Sequence, residues 1–183
     1  MIVYFVRHSE VIEPYQGKYN GHIDIELSKK GKEDAKKLAK KLKDINFDMV
    51  FCSDLLRTRQ TLEAFDLDLE VIYTKNLREK SWGVHEGKSF EEIQKEGITY
   101  TTFEKWIEDL DGERLESYTK RVWDYFKNVI LKQDVKNILV ITHAGVIKTL
   151  ISKEKNMSLD ETFAISLPYS GYIIYDTQKG FII

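Results

Sequence analysis

The chain of 183 residues has a single cysteine, Cys52, which excludes an internal disulfide framework and any paired-cysteine metal motif. It also lacks the HExxH arrangement of zinc hydrolases and the Walker-type glycine loop of nucleotide-binding proteins, leaving His22 and Asp24 as the only close His/Asp pair. We therefore expect no metal and no cofactor. No basic segment followed by an apolar run opens the chain, so the expected location is the cytoplasm, without membrane insertion. A formal charge of −2 gives no general attraction to nucleic acid.

Repeats and low-complexity linkers are absent too, and 42% apolar with 32% charged residues suits one soluble domain spanning 1–183. The eight lysines between Lys29 and Lys43 are the solvated faces of a helix. Ala35, Leu38, Ala39 and Leu42 form its buried stripe, and Ser28 caps it. Leu115, Tyr118, Val122, Phe126, Val129 and Ile130 recur at helical spacing, which predicts a long amphipathic helix over about Glu113 to Leu131. Ser158 and Glu161 have capping-box spacing ahead of a shorter helix, and Tyr172 to Tyr175 read as a late strand. The stretch 80–112 is the least regular; it reads as a lid over a substrate, or as aromatic packing onto the core.

Three strand-like runs end in cationic or potentially cationic groups. Ile2 to Val6 deliver Arg7 and His8; Ile138 to Ile141 deliver His143; Met49 to Cys52 lead into a helix, capped by Ser53 or Asp54, that carries Arg57. In open α/β sheets ligands bind beyond the carboxyl ends of the strands, so these side chains are placed together. Ala144 and Gly145 open a further helix, whose N-terminus is expected to add backbone N–H groups to the same crevice. Two arginines, two histidines and a helix N-terminus make a pocket for a doubly charged oxyanion, of which phosphate is the common biological case. Arginine suits it because its planar fork matches phosphate oxygens in pairs. Arg59, two positions after Arg57, points elsewhere and is read as structural or solvated.

In this order the blocks VRHSE, NGHIDIELSKKG, SDLLRTRQT, LREKSWGVHEG, GERLESYTKRV and THAG resemble the histidine phosphatases of the phosphoglycerate mutase-like branch. The wording is most similar to the α-ribazole phosphatase type. The resemblance covers nearly the whole chain. It implies a three-layer α/β/α sandwich with a mostly parallel central sheet. It also implies that His8 is the nucleophile, that Arg7, Arg57 and His143 hold the phosphoryl oxygens, and that Glu79 donates the proton, with Asn20 and Gly21 lining the substrate side. Two departures stand out: Ser9 occupies a position where the signature usually has glycine, and His85 one where tryptophan is common.

The implied reaction is hydrolysis of a small phosphomonoester, possible substrates including α-ribazole 5′-phosphate. Neutral His8 attacks phosphorus while the arginines and a protonated His143 neutralise charge on the oxygens. Glu79 protonates the departing alkoxide and then takes a proton from water. Mutase activity on phosphoglycerate, a broad sugar phosphatase and a non-catalytic phospholigand-binding module are the alternatives. Glu86 and Glu10 compete with Glu79 as the carboxylate. A cysteine-phosphatase chemistry through Cys52 is disfavoured by spacing, since four residues separate it from Arg57 and six from Arg59, neither being the spacing those enzymes share. Cys52 reads as a small buried thiol.

Overall fold

In the computed structural model, which describes residues 1–183, the five β-formers that open the chain lie in strand β1 (Ile2–Arg7). Helix α1 (Lys29–Lys41), strand β2 (Met49–Ser53), helix α2 (Leu56–Glu63) and strand β3 (Val71–Thr74) follow. Two short helices, α3 (Phe90–Lys95) and α4 (Phe103–Asp109), precede the long α5 (Leu115–Asn128). Strand β4 (Asn137–Thr142), helices α6 (Ala144–Lys155) and α7 (Leu159–Phe163), and the hairpin β5 (Tyr172–Asp176) and β6 (Gly180–Ile182) complete the chain.

The sheet runs β3-β2-β4-β1-β5-β6, its first four strands parallel and its last two antiparallel. β4 is central, which is why its run Ile138 to Ile141 is apolar without alternation and fully buried. Side chains on one face, including Val3, Phe5, Ile138 and Val140, pack with Val122 and Phe126 of α5 and Val146, Ile147 and Leu150 of α6. Those on the other, including Val6, Val50, Leu139 and Ile141, pack with Leu38 of α1 and Leu62 of α2. These are the three layers of an α/β/α sandwich. Phe103, Phe90 and Tyr19 pack with Trp106 and Trp82 in a separate aromatic cluster, so residues 80–112 carry two short helices and a core of their own.

Ser28 accepts from the N–H of Gly31 and caps α1 as the spacing predicts, and Ser158 with Glu161 forms the expected capping box of α7. The cap of α2 differs from the expectation. Neither Ser53 nor Asp54 serves it: the helix begins at Leu56, and the carboxylate of Asp24 accepts the Leu56 N–H at 2.6 Å. Ser53 is committed to His143, and Asp54 forms a two-point ion pair with Arg78, both contacts at 2.6 Å. The long helix also ends earlier than its periodicity suggests, at Asn128, because Ile130–Lys132 tighten into a 3-10 turn.

Candidate active site

β1, β4 and β2 are neighbours, and their registers end level, with Arg7 opposite Thr142 and Cys52 opposite Ile141. The groups that leave these strands are thereby brought together. The His8 N–H donates to the Thr142 carbonyl at 2.9 Å, and the His8 and His143 rings lie edge to face with centroids 5.2 Å apart. His8 Nδ1 is 2.8 Å from the Ser9 carbonyl. A carbonyl only accepts, so Nδ1 carries the proton and Nε2 the lone pair. Burial first, then the guanidinium groups of Arg57 and Arg7, hold the His8 ring well below the usual imidazole range. It is a neutral base at ordinary pH.

His143 bonds Ser53 Oγ through Nε2 at 2.9 Å, while its buried Nδ1 has no protein partner. Burial, then Arg57 and His8, depress its ionisation as well. Burial thus favours the neutral ring, and the protonated state expected from the sequence belongs to the reaction, where phosphoryl oxygens lie beside it. Arg57 is fully buried, and its terminal nitrogens donate to the carbonyls of Ile23 (3.0 Å), Asn20 (3.0 Å) and Gly21 (2.7 Å). Much of its fork thus anchors the loop after β1, leaving Nε buried without a partner. Desolvation lowers its ionisation to about 10, still charged at neutral pH. Arg7 donates to the Leu167 carbonyl at 2.6 Å and stacks over the Tyr169 ring at 4.0 Å, its Nε also unpartnered. Three nitrogens around His8, on Arg7, Arg57 and His143, are thus buried with capacity to spare. Unpaired buried polar groups are costly, and such groups mark sites built for a ligand.

Glu79 takes the place that the sequence reading gave to an external anion. The N–H of Gly145, in the first turn of α6, donates to Glu79 Oε2 at 2.9 Å, so the helix N-terminus serves this carboxylate. Lys80 N–H and the Tyr118 hydroxyl reach Oε1 at 3.1 and 2.8 Å. The competing carboxylates have other work. Glu86 accepts the N–H groups of Gly21, His22, Ile23 and Trp82 at 2.8–3.3 Å, and Glu10 bonds Ser28 and Lys30. Neither lines the cavity.

That cavity, of about 370 Å³, is lined by Arg7, His8, Asn20 and Glu79 at its polar end. Trp82, Phe90, Phe103, Phe163 and Tyr169 contribute apolar wall, and Lys18, Lys80 and Lys148 further positive charge. Asn20 donates through Nδ2 to the Tyr15 carbonyl, leaving Oδ1 buried and unpartnered. Gly21 is not part of the lining. A Cβ there would sit 2.1 Å from the Lys80 carbonyl, so glycine is set by backbone approach. Ser9 turns to the Ser170 hydroxyl at 2.7 Å, and His85 is buried and accepts the Asp111 N–H, so both departures from the signature are absorbed by packing. Cys52 is fully buried, which pushes its thiol up and makes it inert. Arg59 is exposed. Tyr169, Tyr118, Ser53 and Lys148 belong to the site without a sequence signal for that role, because each reaches it from a loop, a helix or a strand end whose pattern records only burial. No three His, Cys, Asp or Glu side chains are grouped to hold a metal ion, and no helix is long and apolar enough to cross a membrane.

Known proteins resemble this chain in sequence and in overall fold. The chain is 29% identical to the adenosylcobalamin/alpha-ribazole phosphatase of Escherichia coli (strain K12), over 99% of this chain and 92% of that protein. It is 31% identical to phosphoglycerate mutase-like protein 4 of Arabidopsis thaliana, over 95% of this chain and 80% of that one. The crystal structure of the alpha-ribazole phosphatase from Shigella flexneri superposes with a TM-score of 0.86 at 26% identity, covering 100% of this chain and 94% of that one. With the model of the histidine phosphatase superfamily (branch 1) matching residues 3–182, the chain belongs to that superfamily.

Proposed function

We propose that the protein hydrolyses a small phosphomonoester in the cytoplasm, without a metal, through a phosphohistidine on His8. The observation that carries this reading is the His8–Ser9 hydrogen bond, which leaves Nε2 as the basic nitrogen of a ring that lines the cavity beside Arg7 and Glu79. Nε2 attacks phosphorus and the ester oxygen leaves, taking the proton of a protonated Glu79. The unpartnered nitrogens of Arg7, Arg57 and His143 receive the phosphoryl oxygens, and the negative charge of those oxygens lets His143 take up a proton that burial and Arg57 otherwise disfavour. Water then attacks the phosphohistidine, losing a proton to the Glu79 carboxylate, and His8 departs with inorganic phosphate released.

Protein cations fill the charge-neutralising role that a metal has in other phosphoryl-transfer enzymes. From the names of the relatives, α-ribazole 5′-phosphate is the specific substrate we put forward. In this reading Asn20 contacts the ester, and residues 80–112 act as a lid whose α4 meets α7 through the Phe103–Phe163 stack at 3.9 Å. The test is brief reaction with a labelled phosphoester, alkaline quench and peptide mapping, together with a screen of phosphomonoesters and a mutase assay. Acid-labile label on His8 is expected; label on Cys52, or none, overturns the mechanism.

A further inference from the structure

The carboxylate of Glu79 is seated by groups from two helices, and the seat is more elaborate than a surface glutamate needs. Tyr118, in the first turn of α5, is 3% exposed and points its hydroxyl at Oε1, 2.8 Å away. Burial and the neighbouring carboxylate hold that hydroxyl well above its usual ionisation, so it remains a donor. One turn further along the same helix, Arg121 donates to the carbonyls of Lys75, Asn76 and Arg78, fixing the backbone that leads into Glu79. From α6, Gly145 offers its N–H to Oε2, and a Cβ at this position would come within 2.1 Å of Oε1. The carboxylate can lie here only because residue 145 has no side chain.

From this geometry we infer that Tyr118 is a positioning residue for the catalytic carboxylate, aiming Glu79 at the leaving oxygen with Gly145 as the other half of the seat. The inference rests on the reading of Glu79 as proton donor. A carboxylate on a flexible side chain visits several rotamers, and general acid catalysis needs the one within hydrogen-bond reach of the departing oxygen. Tyr118 selects that one. The one proton of its hydroxyl goes to Glu79, with Thr149 also beside the oxygen, so loss of that donor acts through the acid.

The test uses single-turnover phosphorylation of the full chain with an alkyl phosphate and with p-nitrophenyl phosphate, whose leaving group needs no proton. Tyr118→Phe, which removes only the hydroxyl, is expected to slow the alkyl ester on the order of 10-fold or more and the aryl ester far less, the scale of one hydrogen bond to a charged group. Combined with Glu79→Gln it adds little to the single loss, as residues acting as a unit do. Gly145→Ala follows the same selectivity, and circular dichroism and Tm identify any variant whose fold has changed. An equal loss on both esters in folded Tyr118→Phe, or losses that multiply in the double variant, refutes the positioning role while leaving Glu79 as the acid. Absence of leaving-group selectivity in Glu79→Gln itself overturns the assignment of the acid, and the role of Tyr118 with it.

Discussion

Ser53, the last residue of β2, holds the imidazole of His143 by a 2.9 Å contact to Nε2, on the neighbouring strand's end. The bond settles which edge of the ring is free, since Nδ1 is then the nitrogen left without a partner. Ser53→Ala should release the ring. We expect kcat/KM to fall on the order of 10-fold, inhibition by inorganic phosphate to weaken in parallel, and stability to fall by about 1 kcal/mol. Unchanged phosphate inhibition would separate His143 from the phosphoryl oxygens.

Stability should depend on pH through the two buried histidines. Both rings ionise well below the usual value in the folded chain, so between that range and about 6.5 the unfolded chain binds more protons. Stability is therefore retained above about 6.5 and lost as pH falls below it, by up to about 1.4 kcal/mol per pH unit for each ring. Denaturant titrations from pH 7 to 5 should give a shallower slope in His143→Gln than in the parent chain. A slope unaffected by the substitution would assign the acid sensitivity to other groups.

Arg57 is both anchor and candidate phosphate ligand. Lysine at this position keeps the charge but cannot reach the carbonyls of Asn20, Gly21 and Ile23 together. Arg57→Lys should thus lose most of the activity and also roughly 2–4 kcal/mol of stability, the cost of carbonyls left unsatisfied in the interior. A variant as stable as the parent would mean that the loop holds its shape unaided.

Glu86 gathers four backbone N–H groups from two loops. Glu86→Gln replaces an acceptor-only carboxylate with an amide that must turn its NH₂ toward two of those donors, since each oxygen accepts two. A drop in Tm is expected, with alkyl and aryl phosphates slowed alike. A loss confined to alkyl phosphates would transfer the proton donor from Glu79 to Glu86.

Chelation by EDTA should leave the hydrolysis rate unchanged, because the proposed charge neutralisation comes from Arg7, Arg57 and His143. Activity that disappears on chelation and returns with divalent ions would contradict that mechanism.

Much of the architecture was legible because burial writes directly into pattern. Ile138 to Ile141 read as a strand and prove to be a central, fully buried one; Ser28 and Ser158 with Glu161 read as caps and are caps. Strands β3 and β6 escaped because edge strands of only four and three residues leave too little pattern to recognise. Cysteine chemistry was set aside from spacing and from the apolar run that Cys52 closes, and Cys52 is fully buried in the structure.

The amino-acid order by itself placed Arg7, His8 and His143 at the carboxyl ends of strand-like runs and Arg57 in the helix after another, the edge of an α/β sheet where ligands bind. That β1, β4 and β2 lie side by side was decided by the tertiary structure. Tertiary structure decided how each group is employed. Tyr118 has the periodicity of a core residue, yet only the approach of α5 to the Glu79 loop makes its hydroxyl a donor to that carboxylate. Likewise the N-terminus of α6 was readable as an anion site, but contact across 66 residues gives it to Glu79, and a cap for α2 comes from Asp24 across 32. Hydrogen bonds of this kind depend on distance and direction in space, which residue type and local spacing do not encode.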